Sequence, residues 1–95
     1  MPDDAIMEIH AIVKGWVQGV GFRFFAERSA NQLGLTGWVR NLYNGEVEIV
    51  AQGTKENLEK YIIILQQGPR SARVKEGEAE WRTPTNEYEN FSITY

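Results

Sequence analysis

No cysteine occurs among the 95 residues, which removes disulfides, thiol nucleophiles and thiolate metal ligands together. There is one histidine, His10. A lone imidazole without thiolates cannot build a metal site by itself, and a packed or surface strand residue is the plainer reading of it. No apolar run approaches the roughly 20 residues that span a bilayer, and the opening MPDDAIMEIH has neither a basic start nor a long apolar core. Neither a membrane span nor a secretion signal is expected, and the expected location is the cytoplasm. The sequon at Asn90 to Ser92 is then a chance match. Positive charge is not in surplus either: the net charge is −3, without the basic excess that nucleic-acid and membrane surfaces usually carry. A small anion stays admissible where its site is locally positive.

What is present is an ordinary globular composition, 42% hydrophobic and 24% charged, enough for one core and too short for two. A single domain over residues 1–95 is expected, with residues 1–5 a flexible N-terminal tail. Met7, Ile9, Ala11 and Val13 alternate with polar residues and predict a first strand. From Phe22 the period changes, with Phe22, Phe25, Ala26, Ser29 and Leu33 on one helical face. Gly34 followed by Leu35 predicts a left-handed cap. Two alternating segments then flank Asn44-Gly45, a strong hairpin signal. Thr54 caps a second helix with Glu56 in its first turn and Leu58, Tyr61, Ile62 and Leu65 inside, stopped by Gly68-Pro69. A fourth strand covers about 72–82. Val74 has one parity and Ala79 and Trp81 the other, so a β-bulge near Gly77 is expected. FSITY closes the chain as a short strand. The order β-α-β-β-α-β plus a short β is the α+β, ferredoxin-like split βαβ sandwich, with two helices on one face of a mainly antiparallel sheet. That fold hosts enzymes, regulatory ligand-binding domains and RNA-binding domains alike.

The two helix starts differ. The second has a side-chain cap and an acid for the positive end of its dipole; the first has Val20 and Gly21 before it and Arg23, a cation, in its first turn. Upstream lies KGWVQGVGFR, whose Gly15, Gly19 and Gly21 accept φ > 0 and can turn backbone N–H groups inward as an anion nest. A glycine-rich turn with a solvated arginine fits the same residues equally well. Neither a Walker loop nor the dinucleotide G-x-G-x-x-G pattern is present. Asn41 also needs a reason, because asparagine is depleted within strands. It is either a polar residue near a turn or an amide that holds water against a ligand. Arg40 points to the opposite face and is not counted in the site. Glu46, Glu48 and the acids from Glu76 to Glu80 read as solvated strand faces rather than acid–base pairs. Trp16, Trp38 and Trp81 read as core and rim packing, since net negative charge and the lack of an RNP-like aromatic motif disfavour RNA binding.

GWVQGVGFR followed by GWVRNLYNGEVEIVAQG closely resembles the two signatures of the acylphosphatase family, over essentially the whole chain. The resemblance implies hydrolysis of an acyl phosphate to a carboxylate and inorganic phosphate, without metal or other cofactor. It implies that Arg23 binds the phosphoryl group, that Asn41 positions the attacking water, and that the loop backbone at Gln18, Gly19, Val20, Gly21 and Phe22 cradles phosphate. Expected partners are the acyl phosphate and inorganic phosphate, with no nucleic acid and no membrane, and the protein is expected to be a monomer. Gly77 departs from the apolar strand residue usual in relatives. A non-catalytic anion-binding or regulatory domain of the same fold is the alternative class.

Overall fold

A computed structural model describes residues 5–95. Of the expected N-terminal tail, residues 1–4 lie outside the described residues and Ala5 belongs to no strand or helix. The elements are β1 (Ile6–Trp16), α1 (Phe22–Gln32), β2 (Thr36–Asn41), β3 (Val47–Thr54), α2 (Lys55–Gln67), β4 (Arg73–Arg82) and β5 (Phe91–Ile93). They form one five-stranded sheet in the order β4-β1-β3-β2-β5. All neighbours are antiparallel except β2 and β5. The expected α+β, split βαβ arrangement is therefore the fold.

Local chemistry sets the element ends. In α1, Phe22, Ala26, Ser29 and Ala30 are buried, and Gly34 at φ 69° ends the helix, with the Leu35 N–H donating to Ala30 O. At the start of α2, Thr54 accepts from the Asn57 N–H, and Glu56 sits in the first turn. Gly68 at φ 68° closes α2. The two helices are joined where the Tyr61 hydroxyl donates to Ala26 O at 2.8 Å. Burial pushes that hydroxyl above the usual tyrosine range. The core between helices and sheet contains Ile9, Val13, Val39, Ile49, Leu58 and Leu65, each at most 2% exposed.

The β4 irregularity is real but lies two residues before Gly77. Lys14 pairs with Glu76 and Gly15 with Val74, leaving Lys75 as the extra residue, whereas Gly77 pairs regularly with Val13. The parity change between Val74 and Ala79 requires a bulge somewhere between them. Its position is set by the partner strand, where Gly15, at φ 132°, comes so close to Arg73 O that any Cβ would collide. Gly77 has another role: it lies under α2, where a Cβ would meet Gln66 at 3.2 Å.

Candidate active site

β1 and β2 are both antiparallel to β3, which lies between them. They therefore run in the same direction, and their C-terminal ends share one end of the sheet. The register makes this concrete: Val13 pairs with Val47, and Val47 pairs with Asn41. The glycine loop leaving β1 and the turn leaving β2 are neighbours for this reason alone, although far apart in sequence.

The loop hangs between two apolar anchors, Val17 and Phe22, each 1% exposed. Between them Gly19 and Gly21 adopt φ 75° and 78°, the left-handed region that glycine enters without strain. Gly21 is the N-cap of α1 and supplies no side-chain cap, and no acid occupies the first turn. The first N–H groups of α1 therefore keep their donors free of side-chain partners, beside the positive dipole end. Val20 O accepts from the Ser71 hydroxyl at 2.8 Å. The trans peptide then turns the Gly21 N–H the opposite way. A Cβ at Gly19 or Gly21 would meet nothing within 4 Å, so these glycines serve backbone conformation and leave the loop open to a ligand.

Gly19, Gly21, Phe22, Arg23 and Asn41 line one depression of about 180 Å³. It is continuous in lining, through Arg23, Asn41 and Tyr95, with a larger one of about 580 Å³ that also takes in Gln18, Arg40, Leu42 and Tyr43. Among the described residues, Asn41 Oδ1 is the buried side-chain polar atom with no hydrogen-bond partner. An orphaned acceptor costs about 1–3 kcal/mol, and the residue that carries it lines the depression that the loop forms. The structure thus brings together six of the seven sequence-predicted site residues. The seventh, Val20, lines neither depression: it packs against the core and its carbonyl is held by Ser71.

Two participants were not read from the sequence. Tyr95 lies under the Arg23 guanidinium, 5.0 Å from ring centroid to Cζ, and borders both depressions; a residue so distant in the chain leaves no local signal. The Gln18 side chain is the other. Its Nε2 donates to Leu42 O at 2.7 Å and to Glu46 O at 2.8 Å, joining the loop to the hairpin.

Arg40 borders the larger depression while its Nε donates to Glu48 Oε1 at 2.7 Å and its guanidinium lies over Trp38. Glu48 is not a solvated face residue. Its side chain is 15% exposed and also bonds His10 Nε2 at 2.7 Å. Burial alone would raise the Glu48 pKa, but the bonds to His10 and Arg40 outweigh it and hold the carboxyl below its usual range. Glu76 and Glu78 surround Lys14 at 3.4 and 3.9 Å, and Glu76 leads the Glu residues that raise the Lys14 pKa. Trp16 is not a core residue, at 69% exposed. Among the described residues no group of three or more His, Cys, Asp or Glu side chains could hold a metal ion.

The acylphosphatase family profile matches residues 9–93. A Thermus thermophilus acylphosphatase is 55% identical over 71 residues, covering 75% of this chain and 81% of the relative. One from Dehalococcoides mccartyi is 48% identical over 88 residues, covering 92% and 97%. The crystal structure of acylphosphatase from Bacillus subtilis superposes with a TM-score of 0.91 at 34% identity, covering 94% of this chain and 99% of that one. With its fold, its paired loop and hairpin and these relatives in agreement, the chain belongs to the acylphosphatase family.

Proposed function

We propose that this chain hydrolyses acyl phosphates to a carboxylate and inorganic phosphate, using the groups around the glycine loop and no metal. The observation that carries this is the partnerless Oδ1 of Asn41, a residue that lines the same depression as Gly19, Gly21 and Arg23. A site that only bound phosphate would need donors; a buried acceptor beside those donors suits a water molecule whose hydrogen it takes. Loop N–H groups and the Arg23 fork hold the phosphoryl oxygens, and Asn41 aims the water oxygen at phosphorus. The P–O bond to the acyl group breaks as the water oxygen bonds phosphorus, and the leaving carboxylate takes the electron pair.

The leaving group explains what the site omits. A carboxylic acid has a pKa of about 4.3, so at neutral pH the carboxylate departs without a proton and no general acid is required. The proton of the attacking water passes to a phosphoryl oxygen of the substrate. Phosphoryl transfer through a loose transition state asks for positioning and charge stabilisation, which this cradle offers. Alkyl phosphate esters, whose alkoxides need an acid or a metal, should be poor substrates. We propose the monomer as the active unit. No helix among the described residues is long and apolar enough to cross a membrane. The chemistry calls for no nucleic acid, and we place the activity in the cytoplasm.

The test is turnover of acetyl phosphate by the purified chain in excess chelator, with inorganic phosphate as inhibitor. Hydrolysis unaffected by chelator and competitive inhibition by phosphate are expected. Phosphate binding without turnover would make the chain a non-catalytic anion-binding domain, and rescue of activity by one metal would overturn the mechanism.

A further inference from the structure

The Gln18 carboxamide nitrogen has two hydrogens, and two carbonyl oxygens take them: Leu42 O at 2.7 Å and Glu46 O at 2.8 Å. Both donors are spent on the protein, so this nitrogen has none left for a phosphoryl oxygen. The two acceptors close the mouth of the hairpin, where the Leu42 N–H donates to Glu46 O at 2.8 Å and the Gly45 N–H to Leu42 O at 3.2 Å. Leu42 is the residue after Asn41, and Gln18 is the first residue of the glycine loop after its buried anchor Val17. Gln18 Nε2 thus bridges the two segments that supply the two halves of the site. Accepted partners are already in place on both carbonyls, so the hairpin turn does not need Gln18 to satisfy its backbone.

We propose that the Gln18 side chain is a positioning residue, a strut that fixes the distance and direction from the phosphate cradle to the Asn41 amide. The proposal rests on the acyl phosphate reading above and adds to it a role for a side chain that the phosphate cradle itself does not use. A displacement of about 1 Å between a nucleophile and its target can cost on the order of 10²-fold in rate. The strut opposes that displacement by tying the loop to the hairpin mouth through two hydrogen bonds.

Gln18→Met keeps the length and removes both donors. Because Leu42 O and Glu46 O each retain a backbone donor, no carbonyl is orphaned and the variant should fold, with Tm lowered by no more than about 4–8 °C. Steady-state hydrolysis of acetyl phosphate should show kcat reduced by about 10- to 100-fold, while the inhibition constant of inorganic phosphate moves less than about 3-fold. Gln18→Glu gives a sharper readout. Its carboxylate faces two carbonyl oxygens and repels both, whereas its protonated form donates to one of them. The ratio of Gln18→Glu to wild-type kcat should therefore rise as pH falls from about 8 to about 5, while the same ratio of phosphate inhibition constants stays nearly flat. This separates the strut from direct repulsion of the anion by the new carboxylate. Wild-type kcat in Gln18→Met, a parallel loss of kcat and phosphate affinity, or a flat kcat ratio for Gln18→Glu would each overturn the strut. If the wild-type chain does not turn over acetyl phosphate, the enzyme reading fails and the strut is decided by NMR. Phosphate titration should shift the Gly19 and Gly21 amides together with those of Asn44 and Glu46, hairpin residues outside both depressions, in wild type, and only the two loop glycines in Gln18→Met. Shifts at all four positions in both proteins would contradict it.

Discussion

At the scale of single residues, Arg23 combines an unfavourable place with a useful one. Its charge opposes the dipole of α1 by roughly 0.3–1 kcal/mol, and its stacking on the exposed ring of Tyr95 returns about 0.5–1 kcal/mol. These nearly cancel, so Arg23→Ala should leave stability without ligand within about 0.5 kcal/mol of wild type in denaturant titrations. Activity should respond differently, falling about 10²-fold or more as when a preorganised oxyanion donor is removed. Arg23→Lys keeps the charge, loses the planar fork and should recover only part of it. An inactive Arg23→Ala protein that is also strongly destabilised would make Arg23 a structural residue. The glycines separate in the same way. Gly19→Ala and Gly21→Ala meet open space and should cost about 1–2 kcal/mol each for the left-handed backbone, with weaker phosphate binding. Gly15→Ala adds a collision with the β4 backbone and should cost more. Equal stabilities for all three variants by thermal denaturation would count against this division.

At the scale of elements, the ends of both helices were legible because caps act locally: Thr54, Gly34 and Gly68 carry their conformations in their own chemistry. The bulge was legible as a necessity and its place only to within two residues, since the exact position depends on Gly15 across the sheet. Long-range pairs were not legible at all. Glu8 is fully buried, accepts from Arg82 Nε and from Gln52 Nε2, and nothing near it in sequence announces either partner. The Glu48 cluster spans three strands in the same way, through His10 and Arg40, and it makes stability depend on pH. A carboxyl held below its ordinary value stabilises the fold at pH above the unfolded value of 4.5. That contribution is lost as pH falls through the lower folded value. Glu48→Gln should therefore be less stable than wild type near pH 7, by about 1 kcal/mol, with the gap narrowing below pH 4.5. A gap that is constant from pH 7 to pH 3 would remove the ionised carboxylate from the account.

At the scale of the whole molecule, the split βαβ topology brings two remote motifs to one depression. The sequence held both motifs and the strand order they imply, so Arg23, Asn41 and the loop glycines could be named before their proximity was known. It did not hold the side-chain tie from Gln18 to the hairpin or the stacking of Tyr95, because each joins segments whose spacing only the folded sheet determines. The central claim is that the cradle grips phosphate while a separate amide aims the water. Asn41→Ala tests it most directly, through kcat for acetyl phosphate measured beside the inhibition constant of inorganic phosphate on the same preparation. The account predicts that kcat falls by about 10²-fold or more while phosphate affinity changes less than about 3-fold. Equal losses in both, or full activity without the amide, would contradict it.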